Sequence, residues 1–457
     1  MQLFNRYVST RSLTVFSAEL VLIFGSVTLA ASLQGAPDLA ANIWKIGLVT
    51  VVCQLCLYYN DFYDLTLVHS GRELVVRLLQ SVGAASIVLA ALYFTMPVLM
   101  IGDGIFVSAL FVFVVAILGW RLLFNYLTGS IRLQERVLVV GTGETARKVV
   151  RQILDQREFA YRVIGFIDDD AARIGERIVN PGIVGTPEDI PDLIDKHQIT
   201  RIVVGLSDRR GKLPVEELLR AKMAGVRVED ATTTYERVTG KILIDDLRPS
   251  WLIFSEGFHV SPMVRTIKRS IDLLLSLVLA LLAFPVMVLT AIAVAIESGR
   301  PVVYCQERVG ENGKTFTLCK FRSMRLDAEK GGTPMWATDG DDRVTRVGRF
   351  IRTTRLDELP QFWNVVRGDM SFVGPRPERP YFVAALSKEI PFYQQRHAVK
   401  PGLTGWAQVK YRYGSSLEDA TEKLRYDLYY IKHLSIFFDL TIVFDTVKVV
   451  LFRRGAA

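Results

Sequence analysis

Four apolar stretches open the chain, Leu13–Leu33, Ile43–Tyr59, Leu78–Met100 and Ile105–Leu127. Each is close to the roughly 20 residues that a helix needs to cross a bilayer. Arg6 and Arg11 precede the first, Arg72 and Arg77 lie between the second and third, and Arg121, Arg132 and Arg136 flank the end of the fourth. The loops after the first and third hold only acids until Lys45, so the positive-inside rule puts the N-terminus and everything after residue 128 in the cytoplasm. The first stretch is too long for a cleaved signal peptide and lacks the cleavage pattern. A fifth apolar run, Ile271–Ile296, has Lys268 and Arg269 before it, Arg300 after it and Pro285 near its middle. Basic residues at both ends hold both to one face, and a proline removes a helix hydrogen bond, so the run predicts a re-entrant helical hairpin, a straight span being the alternative.

Between these regions the period changes. RVLVVGTGETARKVVRQIL reads as strand, glycine turn and helix, followed by the strand-like YRVIGFIDDD and ITRIVVGL. This alternation predicts a parallel α/β sheet of Rossmann type. Gly141-x-Gly143-x-x-Ala146 is a candidate nucleotide-binding turn, with Asp168 at the end of the next strand available to a ribose. Such turns also persist in folds that bind nothing, so nucleotide binding stays open. The expected architecture is a membrane protein with a four-helix transmembrane region (1–130) and a Rossmann-like α/β domain (131–261), regulatory or structural. A mainly helical α/β catalytic domain (262–457) follows, with its re-entrant helix at 268–298.

Composition agrees with partial burial in lipid: 50% of the 457 residues are hydrophobic and the mean hydropathy is +0.27. The net charge of +8 is uneven, since residues 262–457 hold 29 Lys and Arg against 20 Asp and Glu. A basic domain attracts nucleic acid, anionic lipid or phosphorylated substrates, and no nucleic-acid module is present. Cys53, Cys56, Cys305 and Cys319 form no secreted disulfide framework and read as packing residues. His397 and the other four histidines form no recognisable metal set.

The chemistry concentrates in Asp357–Pro375, DELPQFWNVVRGDMSFVGP, with Arg352 and Arg355 upstream and Arg376 downstream. Two adjacent acids can divide a phosphoryl transfer, one attacking phosphorus while the other holds a divalent cation. The plainer reading is a helix start, with an acid at the N-cap and Pro360 in the first turn. The two are compatible, because a helix N-terminus would keep Asp357 ionised and help bind phosphate. A membrane-anchored, NAD-dependent sugar-nucleotide dehydratase or epimerase is the competing enzyme class. It would need a Tyr-x-x-x-Lys pair, and Tyr235 and Lys241 lie six apart. A non-catalytic scaffold leaves the clustered DE, GDMS and GPRP motifs unexplained.

KRSIDLLLSLVLALLAFPVMVL, CQERVGENGKTFTLCKFRSM, RLDELPQFWNVVRGDMSFVGPRP and KPGLTGWAQV, in this order, resemble the bacterial sugar transferases, the monotopic polyprenyl-phosphate phosphoglycosyl transferase superfamily. With the preceding spans and α/β domain, the chain is similar to the long exopolysaccharide or O-antigen initiating forms. YNDFYDLTLVHSGRELVVRLLQ resembles the exosortase-associated branch. The resemblance implies transfer of a sugar 1-phosphate, glucose or galactose first, from a UDP-sugar to undecaprenyl phosphate with release of UMP, at the bacterial inner membrane. It implies Asp357 as nucleophile and Glu358 as its partner and a ligand of Mg²⁺. Arg352 and Arg376 match positive positions bracketing the dyad, and Lys320, Arg322 and Arg308 are further phosphate candidates, each equally readable as a surface ion pair. Asp369 is read as orienting an arginine, and Thr404, Gly405, Trp406 and Gln408 lie in a family motif. A homodimer is also implied.

Overall fold

The computed structural model describes residues 2–3, 6–7, 10–35, 39–63, 71–102, 104–129, 134–155, 161–206, 213–245, 257–258, 260–328, 341–411, 414 and 416–451. They form two compact units that part between Val238 and Thr239.

In the first unit, α1 (Thr10–Leu33), α2 (Leu39–Tyr59), α3 (Gly71–Thr95) and α4 (Ile105–Gly129) are each long and apolar enough to cross a membrane. α3 begins seven residues before its apolar run because Arg72, Glu73 and Arg77 supply polar first turns. α1 packs on α2 and α4, and α2 on α3. Ile23, Ile46, Leu57, Leu78 and Ile117 fill the centre, whereas Val21, Ile87, Val107 and Phe111 face outward. A bundle apolar on both its inner and outer surfaces suits lipid. Arg121 of α4 donates to Glu19 of α1 at 2.6 Å and to the Phe62 carbonyl at 3.0 Å, so neither charge is left unpaired inside the bundle.

The α/β part contains β1 (Glu135–Val140), β2 (Tyr161–Ile167), β3 (Ile183–Gly185), β4 (Arg201–Val204) and β5 (Arg227–Asp230), all parallel in the order β3-β2-β1-β4-β5. This is the expected Rossmann-like order. α5 (Glu144–Asp155) follows the glycine turn. Gly141 has φ +96°, and a Cβ there would meet Leu206 and Gly205, while one on Gly205 would meet Ala146. The Gly-Ala spacing therefore serves close packing of β1, β4 and α5.

In the second unit the expected boundary at residue 262 moves upstream. Ile242 and Ile244 are buried in the same core as Phe362, Trp406, Leu428 and Phe438. Trp406 Nε1 donates to the Gly240 carbonyl (2.8 Å), Ile242 N to that of Arg425 (3.0 Å), and Lys241 pairs with Glu422. The fifth apolar run forms one 37-residue helix, α6 (Pro262–Ser298), with Pro285 inside it. Ser261 accepts from Val264 N to start it, and Pro262 occupies its first turn. The missing N–H of Pro285 weakens one turn without ending the helix, since backbone groups away from water are best satisfied within the helix.

A fragment comprising residues 239–457 is expected to melt cooperatively in detergent, whereas 262–457 loses two buried isoleucines and is expected to be less stable by about 3 kcal/mol or more. Equal melting of the two would contradict the placement of the linker in this core.

Candidate active site

The dyad is presented by a short 3₁₀ turn between two helices. α7 (Arg346–Thr353) starts where Thr345 Oγ1 accepts from Gly348 N at 2.9 Å, and where Glu297, at the end of α6, accepts from Arg346 N and Val347 N at 2.8 and 2.9 Å. It stops at Thr354, Arg355 takes a left-handed conformation (φ +59°), and Leu356–Glu358 form the turn. α8 (Gln361–Arg367) follows, with Pro360 and not an acid at its N-cap. The helix-start reading is thus corrected: neither dyad acid caps α8. Asn364 of α8 donates to the Thr317 carbonyl (2.7 Å) and accepts from Cys319 N (3.2 Å), locking the helix to the neighbouring hairpin.

That hairpin pairs β6 (Val303–Val309) antiparallel with β7 (Thr315–Phe321). Lys320 stands opposite Tyr304 in the ladder, and Arg308 reaches Gln306 Oε1 (2.7 Å), whose amide reaches Tyr304 Oη (3.0 Å). Cys305 and Cys319 are also directly opposed and form a disulfide, which corrects their reading as packing residues.

Arg376 arrives from the other side. β8 (Ser371–Val373) pairs parallel with β9 (Gly402–Thr404), and a Cβ on Gly374 would strike the Lys400 carbonyl, so glycine is required where the chain leaves β8. Arg376 donates to Glu358 Oε1 at 2.7 Å, and Arg355 lies 3.7 Å from the same oxygen. Behind Arg376, fully buried Arg396 donates to its carbonyl (3.0 Å), to Tyr393 Oη (2.6 Å) and to Asp427 (2.8 Å).

Electrostatics separates the two acids. Asp357 is 8% exposed, and burial together with Glu358 pushes its carboxyl up to about 6 against the pull of Lys320, Arg376 and Arg352. The expected helix terminus would have lowered this group; desolvation outweighs the surrounding cations and raises it, while leaving it a carboxylate at neutral pH. For Glu358 burial acts in the same upward direction, but Arg376 and Arg355 outweigh it and hold the group below the ordinary range. Burial lowers the Lys320 ammonium, opposed by Asp357. The two acids are thus driven apart, the pattern expected where neighbouring carboxylates take different roles.

Lys320, Arg352 and Arg376 therefore gather around the dyad. Arg308 instead donates to the Pro377 carbonyl at 3.1 Å and supports the Arg376 loop. Arg322 is buried and caps α6 through the Ser298 and Gly299 carbonyls, both at 2.6 Å, so it is not a phosphate ligand in this arrangement. Asp369 pairs with Arg367 at 3.3 Å. Thr404 bonds Thr446 (2.7 Å), and Trp406 packs on Tyr429 and Phe438 in the core. A cavity of about 130 Å³ beside Glu358 is lined in part by Thr404 and Gln408. His397 is buried and pushed down to about 4 by burial and Arg396, which keeps it neutral. Arg396 and Asp427 carried no sequence signal. Asp272 did, as an acid inside an apolar run, and it accepts from Ser371 Oγ (2.7 Å) and Phe372 N (3.1 Å).

In the first unit Asp168 accepts from Thr142 Oγ1 (2.5 Å) and pairs with Arg173 (2.8 Å), so the ribose candidate is engaged by its own chain. Tyr235 is buried, and Lys241 is held by Glu422. Neither is arranged as a dehydratase pair.

Residues 263–453 match the bacterial sugar transferase family and residues 59–217 a CoA-binding domain family. The chain is 43% identical over 239 residues to the UDP-N-acetylgalactosamine-undecaprenyl-phosphate N-acetylgalactosaminephosphotransferase of Aeromonas hydrophila, covering 52% of this chain and 56% of that relative. It is 41% identical over 191 residues to the UDP-glucose:undecaprenyl-phosphate glucose-1-phosphate transferase of Caulobacter vibrioides, covering 41% of this chain and 71% of that relative. The protein of the same name from Xanthomonas campestris pv. campestris aligns over 100% of this chain and 96% of its own length at 27% identity. The chain thus spans little more than half the length of the first of these curated relatives.

The dyad's stability effects have opposite signs. Asp357, with its folded value raised from 3.8 to about 6, contributes stability below the lower value and loses it as pH rises through the upper. Asp357→Asn is therefore expected to match or exceed the native protein in stability at neutral pH, by as much as about 2–3 kcal/mol, with the gap closing as pH falls towards 4. Glu358→Gln, which removes the charge from the Arg376–Glu358 contact, is expected to destabilise by about 1–2 kcal/mol at neutral pH. Melting both variants across this pH range checks the signs.

Proposed function

The chain belongs to the bacterial sugar transferase family, and we propose that it transfers a hexose 1-phosphate, glucose or galactose, from a UDP-sugar to undecaprenyl phosphate with release of UMP. The observation that carries this reading is the buried Asp357–Glu358 turn, in which Arg376 holds Glu358 while Asp357 faces Lys320, Arg376 and Arg352. A group titrating near 6 is ionised at neutral pH and poorly solvated, which suits a carboxylate nucleophile.

In the proposed first step an Asp357 oxygen attacks the phosphorus that bears the sugar. The bond from that phosphorus to the UMP oxygen breaks, UMP leaves with the electron pair, and an aspartyl phosphosugar remains. In the second step a phosphate oxygen of the lipid acceptor attacks the same phosphorus, and the Asp357 carboxylate leaves unchanged. The acceptor is already an anion, so no protein base is needed. Adjacent carboxylates and incoming diphosphate oxygens form the oxygen donor set that magnesium accepts. Glu358 is the residue that would hold such an ion, whose contribution is to neutralise charge on the diphosphate.

We further propose that α6 enters and leaves the membrane on one face. Arg269, near its start, donates to the Val365 and Val366 carbonyls at 2.6 and 2.8 Å, and Glu297, near its end, holds the first turn of α7. A straight crossing of a hydrocarbon core about 30 Å thick would place these contacts on opposite sides. Leu281, Phe284 and Leu289 between them are exposed and suit lipid. The α/β and catalytic parts then share the cytoplasmic side.

Incubation with undecaprenyl phosphate, Mg²⁺ and a panel of UDP-sugars is expected to give UMP and lipid-linked phosphosugar in equal amounts, with UDP-glucose or UDP-galactose preferred. Loss of the Asp357 carboxylate on protonation predicts activity falling as pH drops through about 6. NAD-dependent change of the sugar ring without UMP release would support the dehydratase class instead. Cysteines introduced at Gly257 and Gly313 are both expected to resist an impermeant label in intact cells, and labelling of Gly313→Cys alone would indicate a straight span.

A further inference from the structure

The cavity beside Glu358 has two chemically distinct ends. Arg355 and Glu358 form one, while Phe362, Phe372, Leu403, Val409, Val449 and Val450 supply apolar walls. Thr404 and Thr446 satisfy each other across it, while Gln408 donates to the Leu403 carbonyl at 3.3 Å and keeps its Oε1 buried without a partner among the described residues, one polar spot in an otherwise apolar lining. Its volume of about 130 Å³ approaches the roughly 150 Å³ of a dry cavity that admits a benzene-sized hydrocarbon.

The final helix, α9 (Ile436–Leu451), provides one wall and explains where the cavity leads. Phe437, Leu440, Phe444, Val447 and Val450 are exposed at intervals of three and four residues, one stripe of the helix. Two of the three charges that interrupt its apolar sequence are taken up by basic partners: Asp439 pairs with Lys268 at 2.6 Å and Asp445 lies 3.9 Å from Lys410, and the third charge, Lys448, lies in the last turn. Val450 belongs both to the exposed stripe and to the cavity wall, so the apolar interior is continuous with an apolar outer surface. Apart from Thr404, Thr446 and Gln408 these walls are aliphatic or aromatic, which suits a hydrocarbon better than a nucleotide or sugar. A branched hydrocarbon carrying a terminal phosphate matches both ends.

We propose that this cavity binds the first isoprene unit of the polyprenyl phosphate acceptor, with Arg355 drawing its phosphate to the dyad and the remaining chain leaving along α9. The assignment rests on the transferase reading above and divides the site between substrates. Arg376 and Arg355 both approach Glu358 Oε1, at 2.7 and 3.7 Å, and the cavity lies on the Arg355 side. Arg376 thereby serves the donor diphosphate and Arg355 the acceptor. In the second displacement, the acceptor oxygen forms its bond to the phosphorus of the aspartyl ester as the bond to Asp357 breaks.

The test uses the full chain in detergent, with farnesyl phosphate and a straight-chain alkyl phosphate of equal carbon number as acceptors. The wild type is expected to prefer the prenyl phosphate by roughly tenfold in kcat/KM, the scale on which pockets distinguish one or two carbon groups. Val449→Phe, which fills the cavity, is expected to raise the prenyl-phosphate KM about tenfold while the acceptor-free burst of UMP persists. If that variant shows no burst, Val449→Ala replaces it and is expected to narrow the prenyl preference by enlarging the cavity. Equal use of the two acceptors by the wild type, or an unchanged acceptor KM and preference in the folded variant, overturns the assignment while leaving the transferase reading intact. Absence of UMP release from the wild type with every UDP-sugar overturns both.

Discussion

Burying two neighbouring carboxylates on one turn is unfavourable unless something separates their ionisation, and the Arg376–Glu358 contact does this. Arg376 fixes Glu358 as the persistent anion, while Asp357, deeper and beside that anion, is left as the group whose charge is costly. An arginine suits the task because its guanidinium stays charged and directional in a partly buried place. The left-handed Arg355 before the turn and Pro360 after it set where the two acids emerge.

Much of the second unit can be understood as holding Arg376 and the turn in register. Arg396, itself neutralised by Asp427, secures the Arg376 carbonyl, and Arg308 secures that of Pro377. Burial and Arg396 act in opposite directions on Asp427, and burial prevails, pushing it up to about 6. The long apolar helix α6 joins the same framework: Arg269 ends α8, Asp272 holds the start of β8, Glu297 starts α7 and Arg322 closes α6. These contacts couple the dyad to a helix with an exposed apolar surface through charged groups that have partners in the folded unit.

The broad organisation was legible because its periods are distinct. Four apolar runs gave the first four helices, and the strand-turn-helix alternation gave the parallel sheet. Asp357 and Glu358 stood out through adjacency and nearby arginines. Other features depend on tertiary placement: KFRSM reads as two equivalent cations, yet Lys320 faces the dyad whereas Arg322 caps a helix. The linker isoleucines looked like part of the preceding domain because no local pattern discloses which core they enter. Pro285 marks a point where a helix can bend and lies within a continuous helix, and the cross-strand disulfide depends on a register that spacing alone could not establish. In α9, Asp439 and Asp445 obscured an apolar stripe until their partners were known.

The central claim is that Asp357 becomes covalently bonded to the sugar phosphate. The most direct measurement is intact-protein mass spectrometry after exposure to UDP-sugar without lipid acceptor, followed by peptide mapping under acidic conditions that preserve an acyl phosphate. The account predicts one added hexose phosphate on the peptide containing Asp357, discharged by undecaprenyl phosphate and absent from Asp357→Asn. An unmodified protein that releases UMP only in a ternary complex with acceptor, or an adduct on another residue, would contradict it.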